Sequence, residues 1–197
     1  VLVVSRTGWH KGAFVFADEC IGSDDGETIF HQSPEGGNHL MQTAGALEDW
    51  KENVARYCTG NSRLILAIAA GFAAALLEKL KVESGGFQLR GGTSTGKTTA
   101  LFVGGSVWGG GSDKGFLRRW RATINGLESV AASHNDALLC LDELAEVDPW
   151  QAGETAYMLA NGQGKIRQTK SITLRKPLEW RRSHGAADTF RYDVEIC

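Results

Sequence analysis

The sequence predicts an α/β fold: a parallel sheet flanked by helices, preceded by a small β-rich unit and a helical segment. Three observations predict it. From Gly85 onward, short apolar runs alternate with helix-period segments. Ala137–Leu141 is an unbroken apolar run, as a strand covered on both faces requires. Gly91–Gly96 is a glycine-rich loop set between a run of strand character and one of helical character.

Within that frame the chain divides into four parts. Residues 1–42 form a β-rich unit: Val1–Val4, Ala13–Ala17 and Thr28–Gln32 are β-prone, and frequent glycines between them predict a small meander. Residues 43–82 are helical. Leu47, Trp50, Val54 and Tyr57 recur at spacings of three and four, predicting a helix over 46–57. Asn61 caps a second helix, about Ser62–Leu80, whose nearly all-round apolar surface predicts burial. Residues 83–180 hold the alternating core. It contains a strand at Phe87–Leu89, a helix at Lys97–Val107 and a strand at Phe116–Ala122. A helix at Asn125–His134, the strand at Ala137–Leu141 and a helix at Trp150–Leu159, with Pro149 in its first turn, complete it. Residues 181–197 are a divergent tail.

Length and composition set bounds. A chain of 197 residues holds one domain, or one plus an appendage. Lys and Arg number 21 against 23 Asp and Glu, a net charge of −2. That excludes nucleic-acid binding by bulk charge and leaves only local patches. Apolar content of 42% with 22% charged residues fits a globular protein. Cys20, Cys58, Cys140 and Cys197 form no CxxC pair, so neither a disulfide framework nor a zinc site is expected. With no signal-peptide pattern, the expected compartment is the cytoplasm. The longest apolar run, Leu64–Leu77, is short of the roughly 20 residues a spanning helix needs, so no membrane association is expected.

The motif that carries chemistry is Gly91-Gly92-Thr93-Ser94-Thr95-Gly96-Lys97-Thr98, a full match to G-x-x-x-x-G-K-[ST], the phosphate loop (P-loop, Walker A) of nucleoside triphosphatases. Four residues between the outer glycines let backbone amides face a phosphate chain. Gly96 permits close approach, and the helix that follows offers its unpaired amides to anions. Gly91 through Thr99 are therefore the candidate nucleotide-binding residues. Lys97 reaches the β- and γ-phosphates, and the Thr98 hydroxyl serves Mg²⁺. Downstream, the apolar run ends in Asp142-Glu143, a Walker B pattern. Asp142 is the second Mg²⁺ residue and Glu143 the base that orients water. A carboxylate base supplied by the protein suits hydrolysis better than transfer to a small acceptor. The expected cofactors are ATP and Mg²⁺.

Lys165, Arg167, Lys170, Arg175, Lys176, Arg181 and Arg182 stand in a stretch that only Glu179 opposes. Lys165–Gln168 and Ser171–Arg175 can pair as a hairpin that presents cations to a phosphate backbone. A solvated hairpin without a partner is the plainer reading from charge alone. Cys140 reads as a small apolar residue of a buried strand, Trp180 as buried packing, and Trp9 and His10 as packing of the β unit.

Several of these runs together resemble one family. They are Gly8-Trp9-His10, Gly60-Asn61-Ser62-Arg63, Ser84-Gly85-Gly86-Phe87, the loop from Gly92 to Ala100, and Ser106-Val107-Trp108-Gly109. Trp120 through Glu128, Leu141-Asp142-Glu143 and Tyr157 through Lys165 continue the pattern. Over roughly residues 5–180 the chain resembles the domain of unknown function 927 family of phage, prophage and mobile-element replication proteins. That family is similar to helicase-like AAA+ ATPases, including those of staphylococcal cassette elements. The resemblance implies an ATP-driven, ring-forming homo-oligomer acting on DNA, single-stranded or forked. It also implies DNA contact at Lys165, Arg167, Lys170, Arg175 and Lys176.

After Trp180 the family pattern continues with an apolar strand whose polar end senses the γ-phosphate. Residues 181–197 contain no apolar run of four. The expectation is a truncated or frame-altered chain beyond about Arg181, without that strand. Two other readings stay open: a nucleotide-binding remnant without turnover, and a P-loop kinase or small-molecule triphosphatase.

Overall fold

The computed structural model describes residues 1–22, 28–32, 41–112, 115–144, 148–164, 167–168, 174–175, 178–180 and 191–195. In the N-terminal unit, β2 (Gly8–His10), β3 (Ala13–Val15) and β4 (Cys20–Ile21) form an antiparallel meander. The outer strands, β1 (Leu2–Val4) and β5 (Ile29–His31), instead pair with each other in parallel. The predicted simple meander is corrected accordingly. Val4, Ala13, Val15 and Ile29 form one buried cluster, and the β1–β5 register, with Leu2 opposite Ile29 and Val4 opposite His31, puts Val4 and Ile29 on the same face of that pair.

This unit is fastened to the rest of the chain. The Trp9 amide donates to Asp136 Oδ2 at 2.9 Å, and Asn135 Nδ2 donates to the Thr7 carbonyl at 3.1 Å. Gly8, at φ +98°, lies so close that a Cβ there would stand 2.5 Å from both the Asn135 amide nitrogen and Asp136 Oδ2. Trp9 Nε1 donates to the Ala75 carbonyl at 2.7 Å, and Lys79 Nζ lies 3.9 Å from the Trp9 ring centre. The expected packing of Trp9 within its own unit is thus extended: edge-on against Phe14, it also joins that unit to a helix.

The helix predicted over 46–57 is divided. α1 (Leu47–Asn53) ends where Val54 leaves the helical region at φ −125°, and a 3₁₀ turn follows at Ala55–Cys58. α2 (Ser62–Leu80) has the predicted bounds, and Asn61 Oδ1 accepts from the Leu64 amide at 3.3 Å. Its predicted burial is corrected. Only Gly71 and Ala74 are fully buried, while Ile65, Phe72 and Leu76 are half-exposed. The helix packs through small residues against α3 (Lys97–Gly105), while Trp9 meets it at Ala75 and Trp50 stands edge-on to Phe72. A Cβ at Gly71 would meet Val107 Cγ2 at 3.0 Å, and one at Gly104 the Ala67 carbonyl at 3.1 Å. Apolar residues all round a helix report its composition, not the number of neighbours it finds.

The P-loop motif lies between β6 (Gly86–Arg90) and α3. β7 (Leu117–Arg119) pairs in parallel with β8 (Cys140–Asp142), placing Arg119 opposite Asp142. Both strands are shorter than predicted, and Ala137, expected in β8, closes a turn onto the His134 carbonyl. α4 (Ile124–Ser133) is capped by Thr123, whose Oγ1 accepts from the Gly126 amide at 3.1 Å. α5 (Pro149–Asn161) begins with Pro149 behind the Asp148 cap and ends at Gly162, φ +68°. Leu127, Ala131, Met158 and Trp180 form the second buried cluster, with Leu139 and Leu141 packed on it. Trp180 is buried as expected and donates to the Leu159 carbonyl at 3.0 Å.

β9 (Arg167–Gln168) and β10 (Leu174–Arg175) pair antiparallel, as the hairpin reading expects. β11 (Arg191–Glu195) pairs in parallel with β6. A strand in 181–197 is a difference from the sequence reading. A search for four consecutive apolar residues misses Arg-Tyr-Asp-Val-Glu, which alternates instead. The single parallel sheet expected from the alternation is, among the described residues, two parallel pairs, β6–β11 and β7–β8.

His134 sits in the interior at 3% exposure, edge-on to Phe116. Its Nδ1 lies 2.7 Å from the Val130 carbonyl, which only accepts, so Nδ1 bears the proton. Burial holds its pKa down to about 4. A base with a depressed native pKa takes up its proton more readily when unfolded. Stability is therefore complete above about pH 6.5 and falls as the pH drops toward 4, by about 2 kcal/mol at pH 5. Chemical denaturation of the parent and of His134→Gln at pH 7 and pH 5 checks this: the parent should lose more stability than the variant.

Candidate functional site

The 91–98 motif forms a loop leading into the N-terminus of α3. Gly96, at φ +85°, is the residue before the helix and takes a left-handed turn open to glycine at little cost. Gly91 to Thr99 are exposed apart from the half-buried Lys97. Thr95 Oγ1 donates to the Gly92 carbonyl at 3.0 Å and tightens the loop. Lys97 Nζ donates to the carbonyls of Gly91 at 2.9 Å and Gly92 at 2.5 Å, and reaches Thr95 Oγ1 at 3.4 Å. The ammonium is thus held across the loop's mouth. Thr93, Ser94 and Thr99 are solvent-facing, and Ser94 sits at φ +60°.

The Thr98 hydroxyl donates to Asp142 Oδ2 at 2.7 Å, bridging residues 44 apart in sequence. Helix α3 makes this contact by resting on β8, where Cys140 Sγ lies 3.6 Å from the Leu101 carbonyl. Cys140 is buried, and burial pushes its thiol up to about 12, so it stays an inert thiol as expected. The second oxygen of Asp142, Oδ1, accepts from the Glu143 amide at 2.8 Å. Both oxygens are fixed, so the carboxylate is oriented before any ligand arrives.

Glu143 is itself unusual in backbone. Five non-glycine residues among those described have positive φ, and Ser94 and Glu143 (φ +64°) are two of them. Such conformations cost about 1–3 kcal/mol each and gather at sites that use them. The Glu143 carboxylate pairs with Arg119 NH1 at 2.9 Å rather than with the loop. Arg119 is the residue that sequence reasoning missed. Its signal was the parallel register of β7 on β8, which places it beside the acidic strand end.

Of the five basic candidates, Arg167 and Arg175 face each other in the β9–β10 register, while Lys165, Lys170 and Lys176 lie outside the described residues. Among the described residues no three His, Cys, Asp or Glu side chains converge to hold a metal unaided. No described helix is long and apolar enough to cross a membrane.

With this geometry in place, comparison with known proteins is decisive for the family. The family model for a domain of unknown function, DUF927, matches residues 1–179. The chain belongs to that family. No curated protein matches the sequence. Among solved structures, one described as "SCCmec type IV Cch - active helicase" is similar, with a TM-score of 0.70 and 22% identity. The similarity covers 90% of this chain and 34% of that one, so the present chain spans about a third of the neighbour's length. At that identity the likeness is one of fold: a mixed α/β domain with a helicase as structural neighbour.

Proposed function

We propose that the chain is an ATP-binding and ATP-hydrolysing, helicase-like motor domain acting on DNA in phage or mobile-element replication. The observation that carries the reading is the 2.7 Å contact between Thr98 and Asp142. Two motifs from separate elements meet at one point, each with the oxygen ligand that Mg²⁺ binding to a triphosphate needs.

Gly91 to Thr99 cradle the triphosphate through backbone amides. Lys97 exchanges its loop carbonyls for β- and γ-phosphate oxygens. Thr98 and Asp142 would hold Mg²⁺, whose remaining ligands would come from phosphate and water, and which supplies charge neutralisation on the transferred group. Glu143 accepts a proton from the attacking water once its carboxylate turns from Arg119. Arg167 and Arg175, with Lys165, Lys170 and Lys176, carry the phosphate-backbone contact of single-stranded or forked DNA. A homo-oligomeric ring in the cytoplasm completes the reading. The helicase fold neighbour, the family membership and the basic hairpin support it.

Phosphate release by the purified chain, with and without single-stranded DNA, tests the whole. The expected result is Mg²⁺-dependent ATP turnover that DNA stimulates. Tight ATP binding with no turnover in either condition would instead identify a nucleotide-binding module. Phosphoryl transfer to a small acceptor would identify a kinase.

A further inference from the structure

We propose that Glu128 is a positioning residue for DNA contact: its carboxylate, buried against the backbone at Gly164, sets how the basic hairpin leaves the core. The inference rests on the proposed DNA contact of that hairpin. Among the described residues Glu128 is the most buried charged side chain, at 1% exposure. A carboxylate is rarely so enclosed unless it is partnered, and this one is. The other buried acid, Asp136, accepts from the Trp9 amide in the joint with the N-terminal unit. Glu128 stands instead on α4, apart in the chain from both the 91–98 loop and Asp142-Glu143.

Its side chain ends at the root of the hairpin. α5 stops at Gly162, whose φ of +68° turns the chain off the helix. A Cβ at Gly164 would then stand 2.9 Å from Glu128 Oε2, 3.0 Å from its Cδ and 3.4 Å from its Cγ. Beside an exposed glutamate, such a Cβ would only push aside the end of a flexible side chain. A glutamate enclosed on all sides has nowhere to swing, so position 164 takes glycine. The next residue is Lys165, the first of the five cations.

Backbone contacts join the two ends of the hairpin. The Gly164 amide donates to the Leu178 carbonyl at 2.8 Å, and the Trp180 amide to the Gly162 carbonyl at 3.0 Å. Gln163 bridges Glu179 between them, and Arg6 NH1 ties the Glu179 carbonyl to the N-terminal unit at 2.6 Å. Against the helices, two side chains hold this root. On the exit side Trp180 packs with Leu127 and donates to the Leu159 carbonyl. On the entry side Glu128, the next residue of α4, meets Gly164. Phosphate contact needs several cations to reach one backbone together, so a root that rocks weakens binding without removing any cation.

Glu128→Gln keeps the size of the side chain and weakens its hydrogen bonds. In the full 197-residue chain, oligo(dT) affinity should fall about fivefold, and trypsin should cut faster within 165–176 but not elsewhere. Bulk electrostatics predicts the opposite sign for affinity, because the variant loses a negative charge. A purely structural role predicts faster cutting along the whole chain. Gly164→Ala should give the same two effects. Adding Glu128→Asp, which draws the carboxylate back by one methylene, should restore most of both. Equal or tighter oligo(dT) binding by Glu128→Gln, or cutting that rises evenly along the chain, overturns the proposal. A parent that binds no oligo(dT) overturns the DNA reading instead. Selective cutting in Glu128→Gln would then still support a hairpin held by Glu128, and its absence would still overturn it.

Discussion

Lys97→Ala should abolish measurable ATP binding. The ammonium already makes three contacts across the loop. In the proposed complex it trades them for phosphate oxygens, which bear far more negative charge than carbonyls. Two or three charge-assisted hydrogen bonds at about 1.5 kcal/mol each correspond to roughly a hundredfold to a thousandfold loss of affinity. The measurement is a direct titration with a fluorescent ATP analogue. The loop is exposed, so the variant should keep the parent's melting temperature. An affinity equal to the parent's would remove Lys97 from the site.

Glu143→Gln should separate binding from turnover. The amide preserves size and leaves Asp142 and Thr98 in place, so ATP affinity should stay near the parent's. Without a carboxylate to accept the proton, turnover should fall by about a hundredfold to ten-thousandfold. The pair with Arg119 is the structural alternative. Arg119 is largely exposed, and such pairs contribute about 0–1 kcal/mol, so their loss would barely alter stability and would not stop turnover. Single-turnover hydrolysis beside equilibrium ATP binding distinguishes the two. Parent-like turnover in the variant would show that Glu143 is only the partner of Arg119.

The parts of the fold that were legible are those fixed by local chemistry. Asn61 marks one helix start because an unpaired amide needs an acceptor within three residues, and Pro149 marks another because a first turn has no use for its missing amide; both helices begin there. The 91–98 motif is likewise local, and it stands between a strand and a helix as its pattern requires. Strand partners are not local. Nothing in Leu2–Val4 encodes that it pairs with Ile29–His31, because period-two alternation fixes a face but not a neighbour. The exposure of Phe72 and Leu76 and the pairing of Arg119 with Glu143 failed for the same reason, since each depends on which element lies alongside.

Cutting the chain at the borders drawn on the sequence at residues 42 and 82 should sever contacts that join its parts. The Gly8-Trp9 backbone is seated on Asn135 and Asp136, only a few residues ahead of β8 and its Asp142. A fragment starting at residue 83 would remove the Trp9 amide from Asp136 Oδ2 and lay open the small-residue face of α3 that α2 covers. The acidic strand end and the N-terminal unit are therefore one object to the chemist who would dissect them. Any shortened version meant to report on the loop should keep the Thr7–Trp9 segment that sits on Asn135 and Asp136.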